Sequence, residues 1–298
     1  MNIEPKLPEK VQYLTSFSFP QIKKFARKTS TELFVGGRPG YDREMLFMWL
    51  LVKKVTNWDY RTIGSMAGLS HSTLIRTNSY FLQKGIYQKV FVHLVRTAYR
   101  KGLIRGKYVA MDSSFVHTFS KRGELGSEGW NGFKEAYGFK LHLLVDCETK
   151  FPIALIVTNG LASDNTLAIP LLKKAKQWLV EAGYVLADKG YDDGDIVNWI
   201  VKMLSSKAGI PVRKKSKLAK GKKYRYGNLL NWRLKAKGRT FKKSIYNRRT
   251  TVERVFSLLK RTYHLGKEET RGILNFAKNV YLSLICYMLK LFYITKTS

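Results

Sequence analysis

The stretch GFKLHLLVDCETKFPIALIV, which spans residues 138–157, decides the fold of this chain. Its two apolar runs, Gly138–Val145 and Phe151–Val157, have the length and composition of β-strands. The polar residues Asp146–Thr149 between the runs are typical of a hairpin turn. The stretch therefore predicts two strands that lie side by side in one sheet.

Strands and helices alternate on both sides of this hairpin. A further strand, Lys107–Thr118, precedes it. The elements predicted after it are a helix at Asp164–Trp178, a strand at Tyr184–Asp188, a helix at Asp193–Leu204, a strand at Ile210–Arg213 and a helix at Ser244–Leu265. Three strands followed by helix, strand, helix, strand and helix predict an α/β fold, in which helices flank one mixed sheet.

The first hundred residues are predicted to be helical instead, and residues 59–81 resemble a helix-turn-helix. A first helix would cover Tyr60–Ala67. Gly68 and Leu69 would form the turn, and Ser70 would cap a second helix. The same pattern also fits an ordinary helical hairpin. The residues expected to face outward near the start of the second helix, where they could reach base edges, are His71, Ser72, Thr73 and Arg76.

The charge of the chain points to a polyanionic partner. Lys and Arg number 54 against 21 acidic residues, which gives a formal net charge of +33. A folded protein this basic repels itself unless it binds a polyanion, so nucleic acid is the expected partner. A membrane surface is the alternative, but the apolar runs at Glu44–Val55 and Val280–Tyr293 are too short to span a bilayer. We therefore expect no membrane partner.

The N-terminus and the cysteines favour a cytoplasmic location. Met1–Lys10 lacks the apolar core of a signal peptide. Cys147 and Cys286 lie in apolar runs, which fits a reducing compartment without a disulfide framework. Together with the charge, these features predict a cytoplasmic protein that associates with the nucleoid.

A strongly basic segment, residues 213–243, interrupts the α/β pattern. Fourteen of its 31 residues are Lys or Arg and none is acidic, while four aromatic residues are interleaved among them. Such a run can be a solvated loop. Aromatic residues among cations favour contact with a phosphate backbone or an unstacked base, and the candidate DNA contacts in this segment are Lys214, Lys215 and Arg225.

The helix predicted at Ser244–Leu265 gathers unlike polar groups on one face. Successive residues advance by about 100° around a helix, which brings three partners close to Glu253: Tyr246, Arg249 and Lys260. An Arg and a Glu four residues apart are common on exposed helices, where the pair contributes about 0.3 kcal/mol. The alternative is a functional site, because one carboxylate among cations and a phenol could hold a metal beside a phosphodiester.

Two further carboxylates favour the functional alternative. Asp112 and Asp188 lie at ends of predicted strands in apolar surroundings, where an unpaired charge is costly. Each could simply cap a neighbouring helix. With Glu253 they form a set of three hard oxygen ligands, which fits Mg²⁺ or Mn²⁺ better than zinc.

These residues and their spacing resemble the DDE transposases of prokaryotic insertion sequences, in the broad group of insertion sequences four and five. Asp112 followed by Ser113-Ser114 resembles the first motif, and Ala187–Asp192 resembles the second. Tyr137–His142 resembles the strand after the first Asp. The third motif has the spacing Tyr, two residues, Arg, three residues, Glu, six residues, Lys, and this chain matches it at Tyr246, Arg249, Glu253 and Lys260.

The resemblance implies a domain organisation. A helical DNA-binding region would occupy residues 1–104. A ribonuclease-H-like catalytic domain would occupy residues 105–298, with the basic segment as an insertion at 213–243. We expect double-stranded DNA, as element ends and as target, to be the partner. Because two ends must be joined, we also expect a homodimer in the DNA complex.

The resemblance also implies a mechanism. Asp112, Asp188 and Glu253 would hold two divalent ions, Mg²⁺ or alternatively Mn²⁺, for strand cleavage by water and for attack of the freed 3′-hydroxyl on target DNA. An inactive or domesticated transposase that only binds DNA, and a structure-specific nuclease on the same core, are the alternatives.

The cations then acquire expected roles in DNA binding. Arg249 and Lys260 would grip phosphates beside the cut, and Tyr246 would donate a hydrogen bond to a phosphate or stack on a base. Lys140 and His142 share one strand face and could point toward the same cleft, although an ordinary solvent-facing pair is the alternative.

Overall fold

A computed structural model describes residues 8–17, 41–118, 129–179, 182–211, 243–268 and 270–297 of the chain. The chain forms two compact units. The predicted boundary between a DNA-binding region, residues 1–104, and a catalytic domain, residues 105–298, is a functional one and stays a prediction. The sheet unit consists of Val95–Ser257 and Glu268–Ile273, and the helical unit consists of Met1–Leu94, Leu258–Lys267 and Leu274–Ser298.

The mixed sheet that the sequence predicts is present in the sheet unit. β3 pairs antiparallel with β1, β2 and β4, while β5 runs parallel to β1 and β6 runs parallel to β5. The hairpin of residues 138–157 is thus confirmed as part of the antiparallel half of the sheet. Its strands are β1 (Tyr108–Thr118), β2 (Gly129–Asn131), β3 (Ala136–Asp146), β4 (Pro152–Asn159), β5 (Tyr184–Leu186), β6 (Lys207–Gly209) and β7 (Lys267–Glu268), which pairs with β1.

The helices complete the predicted order of elements. In the described ranges they are α1 (Glu9–Thr15), α2 (Arg43–Thr56), α3 (Tyr60–Ala67), α4 (His71–Gln83), α5 (Ile86–Arg100), α6 (Asp164–Ala175), α7 (Gly194–Leu204), α8 (Lys243–Tyr246), α9 (Thr250–Arg261) and α10 (Ile273–Thr297). A two-residue strand, β7 (Lys267–Glu268), separates the last two helices. Among the described residues, no helix is long and apolar enough to cross a membrane.

Strand β6 lies earlier in the chain than the strand predicted there. Lys207–Gly209 pairs with Tyr184–Leu186, whereas the sequence predicts a strand at Ile210–Arg213. Ile210 is fully buried directly after β6. Its apolar side chain therefore belongs to the core without belonging to the strand, and residues 212 and 213 lie outside the described part.

Asp146 ties the end of β3 to the segment before β1. Its carboxylate is fully buried. One oxygen accepts the backbone N–H groups of Arg105 and Gly106 at 2.9 and 2.7 Å. The other accepts those of Glu148 and Thr149 in the hairpin turn, both at 2.9 Å. Four charge-assisted hydrogen bonds explain how this carboxylate is stable without exposure to water.

The helical unit has an aromatic core. Phe47, Phe81 and Tyr87 are at most 1% exposed. Their ring centroids lie 5.9 to 6.1 Å apart, a separation at which aromatic pairs attract each other beyond simple burial.

The helix limits predicted within residues 59–81 are confirmed. α3 covers Tyr60–Ala67, Gly68 adopts the left-handed conformation with a φ of 65°, and the Ser70 side chain accepts the N–H of Ser72. The residues at the start of α4 lie at least partly at the surface, with His71 and Arg76 exposed. Their contact with DNA stays a prediction.

We expect Gly64→Ala to lower the stability of the helical unit. A Cβ at residue 64 would lie 2.6 Å from the Leu69 carbonyl oxygen and 3.2 Å from the His71 nitrogen. This crowding with backbone atoms outweighs the helix propensity gained, so we expect a loss of about 1–2 kcal/mol in the free energy of unfolding. Urea denaturation measures it, with Ser65→Ala on the exposed side of α3 as the control. A Gly64→Ala protein as stable as the control would contradict the close contact between residue 64 and the backbone of Leu69 and His71.

Candidate active site

Asp112 on β1 and Asp188 just after β5 lie at matching distances from the residues that pair these two parallel strands. Tyr108 pairs with Tyr184 in the register of β1 and β5, an offset of 76 residues (184 − 108). The same offset separates Asp112 from Asp188 (188 − 112), which follows two residues after β5. Because paired strands lie about 4.8 Å apart, the sheet brings these two carboxylates close together.

Arg249 joins Asp112 to Glu253. Its Nη1 lies 3.5 Å from Asp112 Oδ2, and its Nη2 lies 2.7 Å from Glu253 Oε1. The side chains of Asp112 and Arg249 are only 21% and 15% exposed, whereas that of Glu253 is 49% exposed. The fold thus collects predicted site residues that are more than a hundred positions apart in sequence.

The electrostatics of Asp112 indicate that the three carboxylates share one environment. Burial raises the pKa of Asp112 to about 6, and the negative charges of Asp188 and Glu253 also act to raise it. The N–H of Ser113, 2.8 Å from Asp112 Oδ1, and the charge of Arg249 act in the opposite direction. A place where negative charges repel each other around a largely buried carboxylate is one that stabilises a cation.

The chemistry of this donor set fits a hard divalent ion. Three carboxylates that repel one another are the ligands such ions prefer. Within the described ranges, no group of three or more Asp, Glu, His or Cys side chains has the geometry of a formed metal site. Arg249 instead places its guanidinium between Asp112 and Glu253 and supplies positive charge there.

The helix that carries Glu253 differs from its prediction. Instead of one helix at Ser244–Leu265, α8 ends at Tyr246, a 3₁₀ turn follows at Asn247–Arg249, and α9 begins at Thr250. The Thr250 hydroxyl donates to the Asn247 carbonyl at 2.9 Å, which stabilises the tighter turn. The predicted apolar stripe is confirmed, since its members are at most 7% exposed: Val252, Val255, Phe256 and Leu259.

The 3₁₀ turn does not separate Tyr246 from Arg249. The Arg249 guanidinium carbon lies 5.6 Å from the centre of the Tyr246 ring. Lys260 lies seven residues after Glu253 on α9, in the helical unit.

Lys140 and His142 belong to a different polar group. Opposed residues of an antiparallel pair share a face, so His142 lies on the face of Ser113, and Asp112 lies on the other. Lys140 Nζ donates to the Ala162 carbonyl at 2.8 Å and lies 3.3 Å from Asp164 Oδ1. The structure therefore brings Lys140 to the start of α6 rather than to Asp112.

His142 is almost completely buried, at 1% exposure. Its Nε2 lies 3.0 Å from the Thr158 hydroxyl and its Nδ1 lies 3.8 Å from Asp164 Oδ1. Burial lowers the pKa of His142 to about 4, and the charge of Lys140 acts in the same direction while Asp164 opposes it. The ring is therefore neutral near pH 7, and DNA contact by Lys140 and His142 stays a prediction.

Tyr191 is a residue near the site that sequence reasoning did not single out. Its side chain is 2% exposed, and burial together with the charge of Asp112 raises its pKa. The hydroxyl lies near Ser113 but makes no hydrogen bond within the described residues. Its position in the second motif, three residues after Asp188, is the sequence feature that could have indicated that it lies near the site.

The remaining predicted contacts lie elsewhere. His71, Ser72, Thr73 and Arg76 are in the helical unit. The basic segment's candidates lie outside the described residues: Lys214, Lys215 and Arg225.

The chain matches the family model described as "Transposase DDE domain" over residues 105–289. It therefore belongs to the DDE transposase family. This match covers β1, which carries Asp112, and α9, which carries Glu253. No curated protein matches the chain.

One solved transposase structure supports the fold of this chain, and a second is reported as a weaker likeness. A cryo-EM structure of the piggyBac transposase synaptic complex with hairpin DNA has a TM-score of 0.50 and 11% identity, over 99% of this chain and 74% of that chain. A pre-cleavage Mos1 transpososome has 10% identity over 89% of this chain and 84% of that chain, at a TM-score of 0.26. The first likeness supports the ribonuclease-H-like fold of transposase catalytic domains.

Proposed function

We propose that this protein is a transposase that cuts DNA at the ends of an insertion sequence of group four or five and joins the freed end to target DNA. The observation that carries the proposal is that the charges of Asp188, Glu253 and Arg249 all act on Asp112 in a DDE domain, and that Arg249 pairs with Asp112 and Glu253. A largely buried carboxylate influenced by two further acids and a guanidinium supports phosphodiester chemistry better than it supports a surface salt bridge.

The three carboxylates would hold two divalent ions, Mg²⁺ or Mn²⁺. The chemistry that such ions supply is activation of the attacking oxygen and stabilisation of the leaving oxygen. Asp112 is the more buried of the two carboxylates that pair with Arg249 and would anchor the site, while the half-exposed Glu253 would face the DNA.

Arg249 would exchange its partners when DNA binds. Its guanidinium now pairs with two carboxylates and has its Nε buried without a hydrogen bond among the described residues. A phosphate beside the cut would offer bidentate acceptors to the same group. Tyr246, against the Arg249 guanidinium, would steer it, and Lys260 would contact a phosphate further along α9.

DNA binding would extend beyond the carboxylates. The net charge of +33 supports a polyanionic partner in the cell, which is the basis for proposing association with the nucleoid. We propose that residues 1–104 recognise the element ends through the start of α4, that the basic segment at 213–243 adds phosphate contacts, and that two copies hold two ends.

The test is strand cleavage on duplex DNA that carries the terminal repeats flanking the gene. With Mg²⁺, the wild-type protein should release 3′-hydroxyl ends and join them to a target duplex, and EDTA should stop both steps. Glu253→Gln should keep DNA binding and lose about a hundred-fold or more in cleavage rate, because it removes a metal ligand.

Glu135→Gln, the same change in the exposed turn before β3, is the matched control and should cleave normally. Normal cleavage by Glu253→Gln would overturn the proposal. Hydrolysis without joining would select a nuclease, and binding without cleavage would select a DNA-binding protein.

A further inference from the structure

Two tyrosines stack where β1 and β5 begin. Tyr108 and Tyr184 are paired in register as the first residues of these strands. Their ring centroids lie 5.2 Å apart and their planes are inclined by 14°. Each ring therefore has one of its two faces covered by the other ring.

Three cations surround the stacked rings. The Arg248 guanidinium carbon lies 4.3 Å from the centre of Tyr108, and Lys107 Nζ lies 5.7 Å from the same point. Lys207 Nζ lies 5.6 Å from the centre of Tyr184. All three cations are exposed. We call these residues the tyrosine–cation patch: Lys107, Tyr108, Tyr184, Lys207 and Arg248.

The patch keeps a positive balance. Arg248 Nη1 lies 3.7 Å from Glu148 Oε1, and the two side chains are 45% and 25% exposed. Among the described residues this carboxylate pairs with Arg248 alone, so the patch holds three cations against one acid.

The patch shares a sheet face with the candidate active site. Side chains alternate along a strand, so Tyr108 and Asp112, four residues apart on β1, point to the same side of the sheet. Four residues of strand span about 13 Å. Arg248 and Arg249 are consecutive in the 3₁₀ turn, and one reaches the patch while the other reaches Asp112.

We propose that the tyrosine–cation patch binds the phosphodiester backbone of the duplex whose strand is cut, about 13 Å from the carboxylates. This inference rests on the proposed function. One strand of B-DNA advances about 3.4 Å per nucleotide along the axis. The patch would therefore hold phosphates about four nucleotides from the cut.

The geometry favours backbone contact over base stacking. A base needs a free aromatic face, but Tyr108 and Tyr184 cover one face of each other and the cations lie against the rings. The rings instead hold the ends of long side chains in place. Pre-ordered cations lose less conformational entropy when they bind a phosphate.

The experiment measures binding of the full-length protein to a short duplex of mixed sequence without divalent ions, over a range of salt concentrations. Each phosphate that a cation neutralises adds about 0.9 to the slope of log affinity against log salt. We therefore expect Lys107→Glu/Lys207→Glu to reduce this slope by about 1.8, because two phosphates are no longer neutralised. At 0.1 M salt this corresponds to about an eight-fold loss of affinity for each phosphate. Lys107→Arg/Lys207→Arg should retain the wild-type slope.

Lys173→Glu/Lys174→Glu is the matched control. It makes the same charge change at exposed positions on α6, the helix whose first turn meets Lys140. An equal slope change in control and patch variants, or none in the patch variant, overturns the inference. A failure of the proposed function would be seen in a different experiment, as an absence of Mg²⁺-dependent cleavage by the wild-type protein.

Discussion

Asp112→Asn is expected to abolish strand cleavage and, at the same time, to stabilise the protein in the absence of metal. The loss of cleavage should be at least about a thousand-fold, or about 4 kcal/mol of transition-state stabilisation, because a largely buried ligand of the proposed metal site is removed. The gain in stability follows from the cost of burying a charged Asp112, to which the two other carboxylates add.

The direction of the stability change depends on pH. The pKa of Asp112 rises from its ordinary value of 3.8 to about 6 in the folded protein. Between these pH values the folded state binds more protons than the unfolded state, so the contribution of Asp112 to stability is complete below pH 3.8 and is lost as pH rises through 6. At pH 7 the wild-type protein should be less stable than Asp112→Asn by up to about 3 kcal/mol.

Urea denaturation in EDTA at pH 4, 5, 6 and 7 measures this difference, which should grow with pH. Asp195→Asn, an exposed acid in the first turn of α7, serves as the control and should show no comparable growth. A difference that is constant with pH would contradict the electrostatic environment described for Asp112. Retained cleavage would contradict its proposed role.

Asp146→Asn is expected to destabilise the protein by about 4 kcal/mol. The carboxylate accepts four backbone N–H groups in a fully buried position. An amide of the same shape has only one accepting oxygen, so its NH₂ group would face two N–H donors. Two charge-assisted hydrogen bonds are removed, and each is worth about 1.5–3 kcal/mol.

Thermal and urea unfolding of the full chain measure this loss. Glu148→Gln lies two residues further on in the same turn, at the surface, and should change the free energy of unfolding by no more than about 0.5 kcal/mol. An Asp146→Asn protein as stable as Glu148→Gln would show that the buried carboxylate is not needed.

Much of the candidate site could be predicted because its residues follow local rules. Asp112 lies on one of two strands that pair in parallel and Asp188 lies just after the other, and Glu253 lies on a helix with a clear apolar stripe. The 3₁₀ turn before α9 could not be predicted, because helix periodicity continues through Asn247–Arg249 and a single Thr250 hydroxyl bond stabilises the turn.

The contacts between side chains on different strands and helices also could not be predicted from the sequence. Lys140 and His142 share a strand face as predicted, but only the packing of α6 brings Asp164 to them. The stack of Tyr108 on Tyr184 depends on the register of β1 and β5, which pairs residues far apart in the chain.

The hydrogen bonds of Asp146 affect which side of the sheet Asp112 faces. It holds Gly106, two residues before β1, against the end of β3, and so sets the alignment of these two strands. A slip of one residue between paired strands turns every side chain to the opposite face. A carboxylate with no part in the proposed chemistry thereby supports the register in which Asp112 faces Arg249 rather than the side of Ser113 and His142.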